Sequence, residues 1–220
     1  MVAVKRLLAP AALPSSTDQL SVMTYNVLLP NSIDGWWNYK MYLPPLQLRD
    51  DDKDEEDISS WSYRSKLLRE RIGLVDADVV CIQEISPDSF EDDFAFMKDD
   101  LGYDGVELFK KGRFRPATFW KKSRCDLAAP PIHKDRTLLT AFKLHKSDQN
   151  NNNNDTDETN KTWYVLNCHL QAGGQAPRRL RQINEGVTAV VKLGRKLKGM
   201  NTYKLYDFLI SYICFFTLFH

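Results

Sequence analysis

The chain has 220 residues, of which 43% are hydrophobic, and this is enough to build the core of one domain. A formal net charge of +1 excludes a global field that attracts nucleic acid, so an anionic partner would have to meet a local patch. The cysteines are too far apart for a disulfide framework or a zinc site, which predicts buried free thiols in a reducing compartment, cytoplasmic or nuclear.

The two ends of the chain differ from its middle. Residues 1–14 carry Lys5 and Arg6 and no acid, and prolines interrupt their apolar run. We therefore expect a disordered leader over residues 1–19, with an organellar transit peptide as the alternative. The apolar segment 205–219 is shorter than the roughly 20 residues that cross a bilayer. We expect residues 200–220 to be an unrelated tail rather than a membrane anchor.

The middle of the chain, residues 20–199, alternates between strand and helix patterns. Short apolar runs predict six strands, at residues 20–28, 78–83, 103–109, 117–121, 138–144 and 162–170. Helical spacing predicts three helices, at residues 62–76, 90–101 and 176–198. This order predicts an α/β layered fold with a mixed β-sheet.

Amphipathic spacing assigns an inward face to two of these helices. The side chains expected to face the core are Leu67, Leu68, Ile72 and Val75 in the first, and Leu180, Ile183, Val187, Val190 and Leu197 in the last. Residues 147–161 contain five consecutive asparagines and are predicted to be a disordered insert between two paired strands. The acidic run 50–57 lacks the glycine of a calcium-binding loop and is predicted to be a solvated loop.

Polar residues stand where three predicted strands end. They are Asn26, Glu84 and His169, and side chains beyond the carboxyl ends of strands line the crevice of a layered α/β protein. One carboxylate and one amide oxygen suit a Mg²⁺ ion that keeps most of its waters, and the histidine adds a donor for a phosphoryl oxygen. Taken singly, Asn26 is more often a turn residue at a strand end, Glu84 a helix N-terminal carboxylate and His169 a satisfied core histidine.

The order of the short motifs resembles a known superfamily. The segments TYN (24–26), VVCIQE (79–84), ATFWKKSRCDL (117–127), LNCHLQAG (166–173) and RRLRQ (178–182) are similar to the first half of the endonuclease/exonuclease/phosphatase (DNase I-like) superfamily, in its deadenylase/nocturnin-like branch. The resemblance implies the first half of a four-layer fold. It also implies Mg²⁺-assisted hydrolysis of RNA, a nucleotide or another phosphoester, with an inositol-lipid phosphatase lineage as an alternative.

The resemblance also implies roles for individual residues. Glu84 would ligate the metal and act in catalysis, Asn26 would lie beside it in the metal site, and His169 would hydrogen-bond the scissile phosphate. Arg179 and Gln182 would hold the loop that follows His169. The family's GDxN and Ser-Asp-His motifs do not occur after Lys198, so we expect Mg²⁺ binding that is weak or absent and no hydrolysis by this chain.

Three further expectations concern partners. The basic residues around Phe114 (Lys110, Lys111, Arg113 and Arg115) and the basic face of the last helix are either phosphate-binding patches or ordinary solvated surfaces. A non-enzymatic fragment that binds anions or a partner chain is the alternative to the hydrolase. Finally, three helices on one side of a single six-stranded sheet would leave its other face bare, which predicts self-association through that face.

Overall fold

The computed structural model of the chain describes residues 19–28, 60–108, 115–145, 161–171 and 173–198. Within these ranges it contains seven strands and four helices. In chain order they are β1 (Val22–Asn26), α1 (Trp61–Val75), β2 (Val79–Ile85), α2 (Phe90–Asp93), α3 (Ala95–Asp99), β3 (Gly105–Leu108), β4 (Arg115–Trp120), β5 (Cys125–Lys134), β6 (Thr137–Leu144), β7 (Trp163–Cys168) and α4 (Ala176–Lys198).

The strands form two sheets. The first has the order β1-β2-β4-β3, in which β1 runs parallel to β2 and the other neighbours are antiparallel, so it is mixed as predicted. The second has the order β5-β6-β7 and is antiparallel throughout. The strands that flank the asparagine-rich insert, β6 and β7, pair directly.

Alternating side chains along β2 show how the layers stack. Val80 and Ile82 pack against α1, α2 and α3, whereas Val79 and Cys81 face the second sheet and pack with Trp120, Phe142 and Trp163. On the far side of the second sheet, residues of β6 and β7 pack against Ala189, Val190 and Leu193 of α4. The result is four layers, helix–sheet–sheet–helix.

This arrangement overturns the expected bare sheet face. The prediction placed six strands in one sheet with all three helices on one side, but the strands divide between two sheets that cover each other. The helices lie on opposite outer faces, α1–α3 on the first sheet and α4 on the second. The reasoning that led to self-association therefore fails, because the inner faces pack together.

Several predicted elements are corrected in detail. The strand β5 was missed because Pro130 and Pro131 interrupt its pattern, yet prolines are tolerated on an edge strand, and β5 is an edge strand with two register shifts. The helix expected at residues 90–101 divides at Phe94 into α2 and α3. Leu67 and Leu180, both expected to face the core, are 45% and 59% exposed.

Other predictions concern residues outside the described ranges, namely the leader, the acidic run, most of the insert, the tail and the basic residues 110–113. Among the residues that are described, no helix combines the length and apolar character that a membrane crossing needs. Cys81, Cys125 and Cys168 are buried and form no disulfide with a described residue, as expected, and burial raises the pKa of Cys125 and of Cys168 to about 12. These thiols remain protonated and act as small apolar side chains.

Candidate active site

A bulge in β2 directs Glu84 into the site. Ile82 pairs with Ala117 and Ile85 with Arg115, so two residues of β2 lie opposite the single residue Pro116 of β4. Proline has no N–H to give to the ladder, which makes this a natural place for the bulge. Glu84 adopts a φ of 62°, in the left-handed region that side-chain-bearing residues seldom occupy. Such strain is concentrated at functional sites.

The structure brings the three predicted site residues together. The Nδ2 of Asn26 donates a hydrogen bond of 2.9 Å to Oε1 of Glu84, and Nε2 of His169 lies 3.8 Å from the same oxygen. Asn26 is itself oriented, because its Oδ1 accepts a hydrogen bond of 2.9 Å from the backbone N–H of Leu28. The convergence of Asn26 and Glu84 on one edge of the sheet is thus observed.

Below these residues, two buried amides join the sheets. Gln83 donates from Nε2 to Oδ1 of Asn167 at 2.9 Å and to Oγ1 of Thr24 at 3.0 Å. Asn167 donates from Nδ2 to the carbonyl oxygens of Ala117 at 2.9 Å and Ile82 at 3.2 Å. Gln83 directly precedes Glu84, and Asn167 lies two residues before His169. The amide pair therefore fixes the distance between the strands that carry the site.

Burial and arginine side chains set the protonation of the site. Burial, together with the smaller effects of the positive charges of Arg136 and Arg115, lowers the pKa of His169 to about 4, so the imidazole is neutral at pH 7. Burial raises the pKa of Glu84, whereas the hydrogen bond from Asn26 and the charge of Arg136 act against this rise. The Nδ1 atom of His169 is buried and has no hydrogen-bond partner among the described residues. His169 is therefore not a satisfied core histidine.

The loop after His169 is held as the sequence predicted. Gln182 accepts a hydrogen bond of 3.0 Å from the backbone N–H of Gln171 through its Oε1. Arg179 donates from Nη1 to the carbonyl oxygens of Gln171 and Gly173. Both side chains project from the first two turns of α4, so the helix and the loop form one unit.

The donor set fits a hard divalent cation with few protein ligands. The carboxylate of Glu84 is an oxygen ligand of the kind that suits Mg²⁺. Asn26 turns its Nδ2 to this carboxylate and its Oδ1 to the backbone N–H of Leu28, so it would ligate an ion through the second lone pair of Oδ1. No group of three or more His, Cys, Asp or Glu side chains is gathered anywhere in the described ranges. A bound ion would therefore take most of its ligands from water or from substrate.

Sequence reasoning missed three contributors to the site. Gln83 and Asn167 look like ordinary strand residues, and only the packing of the two sheets brings them into contact. Arg136 belongs to the hairpin turn between β5 and β6, and β5 itself was not predicted. The RRLRQ motif is the one sequence feature here that relates to this turn, because its Gln182 also donates from Nε2 to Oδ2 of Asp135 at 2.7 Å.

Comparison with known proteins identifies the class. Residues 23–182 match the Endonuclease/Exonuclease/phosphatase family, and the chain belongs to this family. Among curated proteins, it is 26% identical over 186 residues to the CCR4-Not complex 3'-5'-exoribonuclease subunit Ccr4 of Schizosaccharomyces pombe, covering 71% of this chain and 25% of that protein. It is 28% identical over 113 residues to the RNA exonuclease NGL1 of Saccharomyces cerevisiae, covering 50% of this chain and 26% of that protein. The chain thus spans about a quarter of the length of these relatives.

A solved structure supports the fold. The chain superposes on ANGEL2, a 2',3'-cyclic phosphatase, with a TM-score of 0.54 at 20% identity, covering 78% of this chain and 48% of that chain. The predicted superfamily and the layered α/β fold are confirmed. Members of this family generally use a divalent metal ion.

We expect acid to weaken the fold through His169. The unfolded chain binds a proton on this histidine near pH 6.5 and the folded chain only near pH 4, so the free energy of unfolding falls as the pH drops through this window. The upper limit of the loss is about 3 kcal/mol. Urea unfolding of the wild type and of His169→Asn at several pH values measures it.

Comparing the wild type with His169→Asn isolates the contribution of His169 to the pH dependence of stability. Glu84 acts in the opposite direction, because its raised pKa lets the folded state gain stability as the carboxyl is protonated, and this contribution is present in both proteins. Between pH 7 and pH 4, the free energy of unfolding of the wild type is therefore expected to fall relative to that of His169→Asn. A difference that stays constant with pH would contradict the prediction.

Proposed function

We propose that this chain carries the metal- and phosphate-binding part of a Mg²⁺-dependent phosphodiester hydrolase that acts on RNA or a related phosphoester. The observation that carries the proposal is the meeting of Asn26, Glu84 and His169 around one carboxylate oxygen, with Glu84 in a strained backbone conformation. The names of the curated relatives, an exoribonuclease subunit and an RNA exonuclease, support a substrate that contains RNA.

Each residue has a defined task in this proposal. Glu84 and Asn26 would hold the ion, and Asn26 also fixes the orientation of the carboxylate. Bound Mg²⁺ would supply Lewis acidity towards a phosphoryl oxygen. His169, neutral at pH 7, would donate a hydrogen bond to a phosphate oxygen as its charge develops. Arg179 and Gln182 keep the backbone after His169 in place.

We further propose that the 220-residue polypeptide hydrolyses phosphodiesters slowly or not at all. Hydrolysis needs a general base that lies within hydrogen-bonding distance of the attacking water and takes its proton. Glu84 is already engaged by Asn26, and a cluster of further acids beside it is absent from the described ranges. The GDxN motif that supplies the base in the family is absent from these 220 residues.

Metal binding and turnover, measured on the same proteins, test both parts of the proposal. Mn²⁺, a paramagnetic substitute for Mg²⁺, is titrated by electron paramagnetic resonance into the wild type, Glu84→Gln and the control Glu70→Gln. Glu70 is an exposed residue of α1. We expect Glu84→Gln to raise the dissociation constant at least about tenfold, because it removes the charged ligand, and Glu70→Gln to leave it unchanged.

The same preparations are assayed with bis-p-nitrophenyl phosphate and with RNA in the presence of Mg²⁺. At most trace hydrolysis is expected from the wild type. Equal Mn²⁺ affinity in wild type and Glu84→Gln would refute the metal site. Strong turnover that Glu84→Ala abolishes would refute the proposed inactivity and support the site.

A further inference from the structure

The turn between β5 and β6 is fixed directly to the site. Lys134 pairs with Thr137, so the turn consists of Asp135 and Arg136 alone. Asp135 has a φ of 31°, as tight two-residue hairpins demand. The carbonyl oxygen of Arg136 accepts a hydrogen bond of 3.0 Å from the backbone N–H of His169. Any movement of this turn relative to His169 would break that bond.

Three arginines from separate elements meet at this turn. Arg115, at the start of β4, donates from Nη1 to the carbonyl oxygen of Asp135 at 2.8 Å. Arg178, in the first turn of α4, has Nη2 at 4.0 Å from Oδ2 of Asp135. With Arg136 they bring three positive charges, against the two negative charges of Asp135 and Glu84. The local balance is positive although the chain as a whole is nearly neutral.

Nearby carboxylates balance the charge of Arg136 only in part. Its guanidinium makes no hydrogen bond or ion pair with another residue of the described ranges. Burial lowers its pKa, and the adjacent positive charges of Arg115 and Arg178 lower it further, partly offset by Asp135 and Glu84. A half-buried cation beside other cations is destabilising unless an anion joins it. His169, whose backbone N–H bonds to this turn, has a buried Nδ1 with no hydrogen-bond partner among the described residues.

We propose that Arg136 binds the phosphate group of the ligand, with Arg115 and Arg178 supporting it, so that the hairpin turn and His169 form an anion site that does not require the metal. A guanidinium offers a planar fork of donors that matches two oxygens of a phosphate group. This inference deepens the proposed function and rests on it for the chemical class of the ligand. It assigns the recognition of the anion to a turn that the sequence motifs do not include.

The proposal is tested with inorganic phosphate in buffer that contains EDTA and no divalent metal. Binding is followed by line broadening in ³¹P nuclear magnetic resonance for the wild type, Arg136→Gln, Arg136→Lys and the control Arg181→Gln. Arg181 is exposed on α4 and is paired within the helix to Glu185 at 3.8 Å. We expect Arg136→Gln to raise the dissociation constant at least about tenfold, Arg136→Lys to raise it less because the charge remains without the fork, and Arg181→Gln to leave it unchanged.

Two esters extend the test to the source of the phosphate group. Adenosine 3′-monophosphate and inositol 1-phosphate are titrated under the same conditions. An equal loss of affinity for both esters and for inorganic phosphate in Arg136→Gln supports a contact with the phosphate itself. A loss confined to one ester, or no loss in any arm, would overturn the assignment.

The metal-free condition separates this inference from the proposed function. Glu84→Gln is expected to bind phosphate at least as tightly as the wild type, because it removes a negative charge beside the anion. Unchanged phosphate binding in Arg136→Gln, together with lost Mn²⁺ binding in Glu84→Gln, would reject the anion site and leave the metal site standing. Folding of each variant is checked by circular dichroism, and Arg136→Lys provides the test if Arg136→Gln does not fold.

Discussion

Replacing Asn167 by alanine is expected to destabilise the protein by about 3 kcal/mol and to weaken phosphate binding at the same time. Asn167 is 1% exposed, donates to the carbonyl oxygens of Ile82 and Ala117, and accepts from Nε2 of Gln83. The variant leaves a buried amide of Gln83 without one acceptor and removes a direct polar link between the sheets. Chemical denaturation gives the stability, and the phosphate titration gives the affinity.

The matched control is Asn184→Ala, because Asn184 is exposed on α4 and alanine is a better helix former. We expect this variant to stay within about 0.5 kcal/mol of the wild type. A double-mutant cycle of Asn167→Ala with Gln83→Ala is expected to show a coupling of about 1 kcal/mol or more between the two amides. Purely additive effects would show that the amides do not cooperate across the sheets.

Replacing Gly105 by alanine is expected to lower the free energy of unfolding by about 3 kcal/mol. Gly105 pairs with Trp120 across β3 and β4, and the indole lies directly over the glycine. A methyl group here would lie 2.6 Å from Cδ2 of Trp120 and closer still to Cε2 and Nε1. The ring cannot easily retreat, since Trp120 is 5% exposed and its ring centroid lies 5.5 Å from that of Phe142.

The control for this substitution is Gly174→Ala. A Cβ at Gly174 meets nothing within 4 Å, and its φ is outside the left-handed region. A small effect or a gain in stability is expected there, because alanine restricts the unfolded chain more than glycine does. Thermal or chemical unfolding compares the two variants. Similar stability of Gly105→Ala and wild type would show that the indole has room to move.

The fold was predictable where local patterns decide the structure. The last helix was placed at residues 176–198, the range that it occupies, because its apolar period is long and regular. The strand β5 was missed because its edge position, which tolerates proline, is a property of the sheet and not of the segment. The division of seven strands into two sheets depends on which faces of β2 and β7 meet, and alternation cannot show this when both faces are apolar.

The same distinction holds for the site. Asn26, Glu84 and His169 could be selected because each follows an apolar strand, and strand ends converge. Arg136 could not, because its proximity to His169 depends on the register of a hairpin with an unpredicted strand. The pairing of Gln83 with Asn167, 84 residues apart, depends likewise on the contact between the sheets. The roles of these residues in binding and catalysis stay predictions.

The left-handed backbone at Glu84 makes glutamate an unfavourable residue at this position unless its carboxylate is needed. A side-chain-bearing residue held there lowers stability by roughly 1–2 kcal/mol, a penalty that glycine avoids and asparagine reduces. Mutation in a lineage that no longer needs the carboxylate would therefore drift towards glycine or asparagine at this site, because either residue relieves the backbone. In a related chain, a glutamate retained at this position therefore indicates that selection still maintains the carboxylate for ligand binding, even where other parts of the domain have diverged.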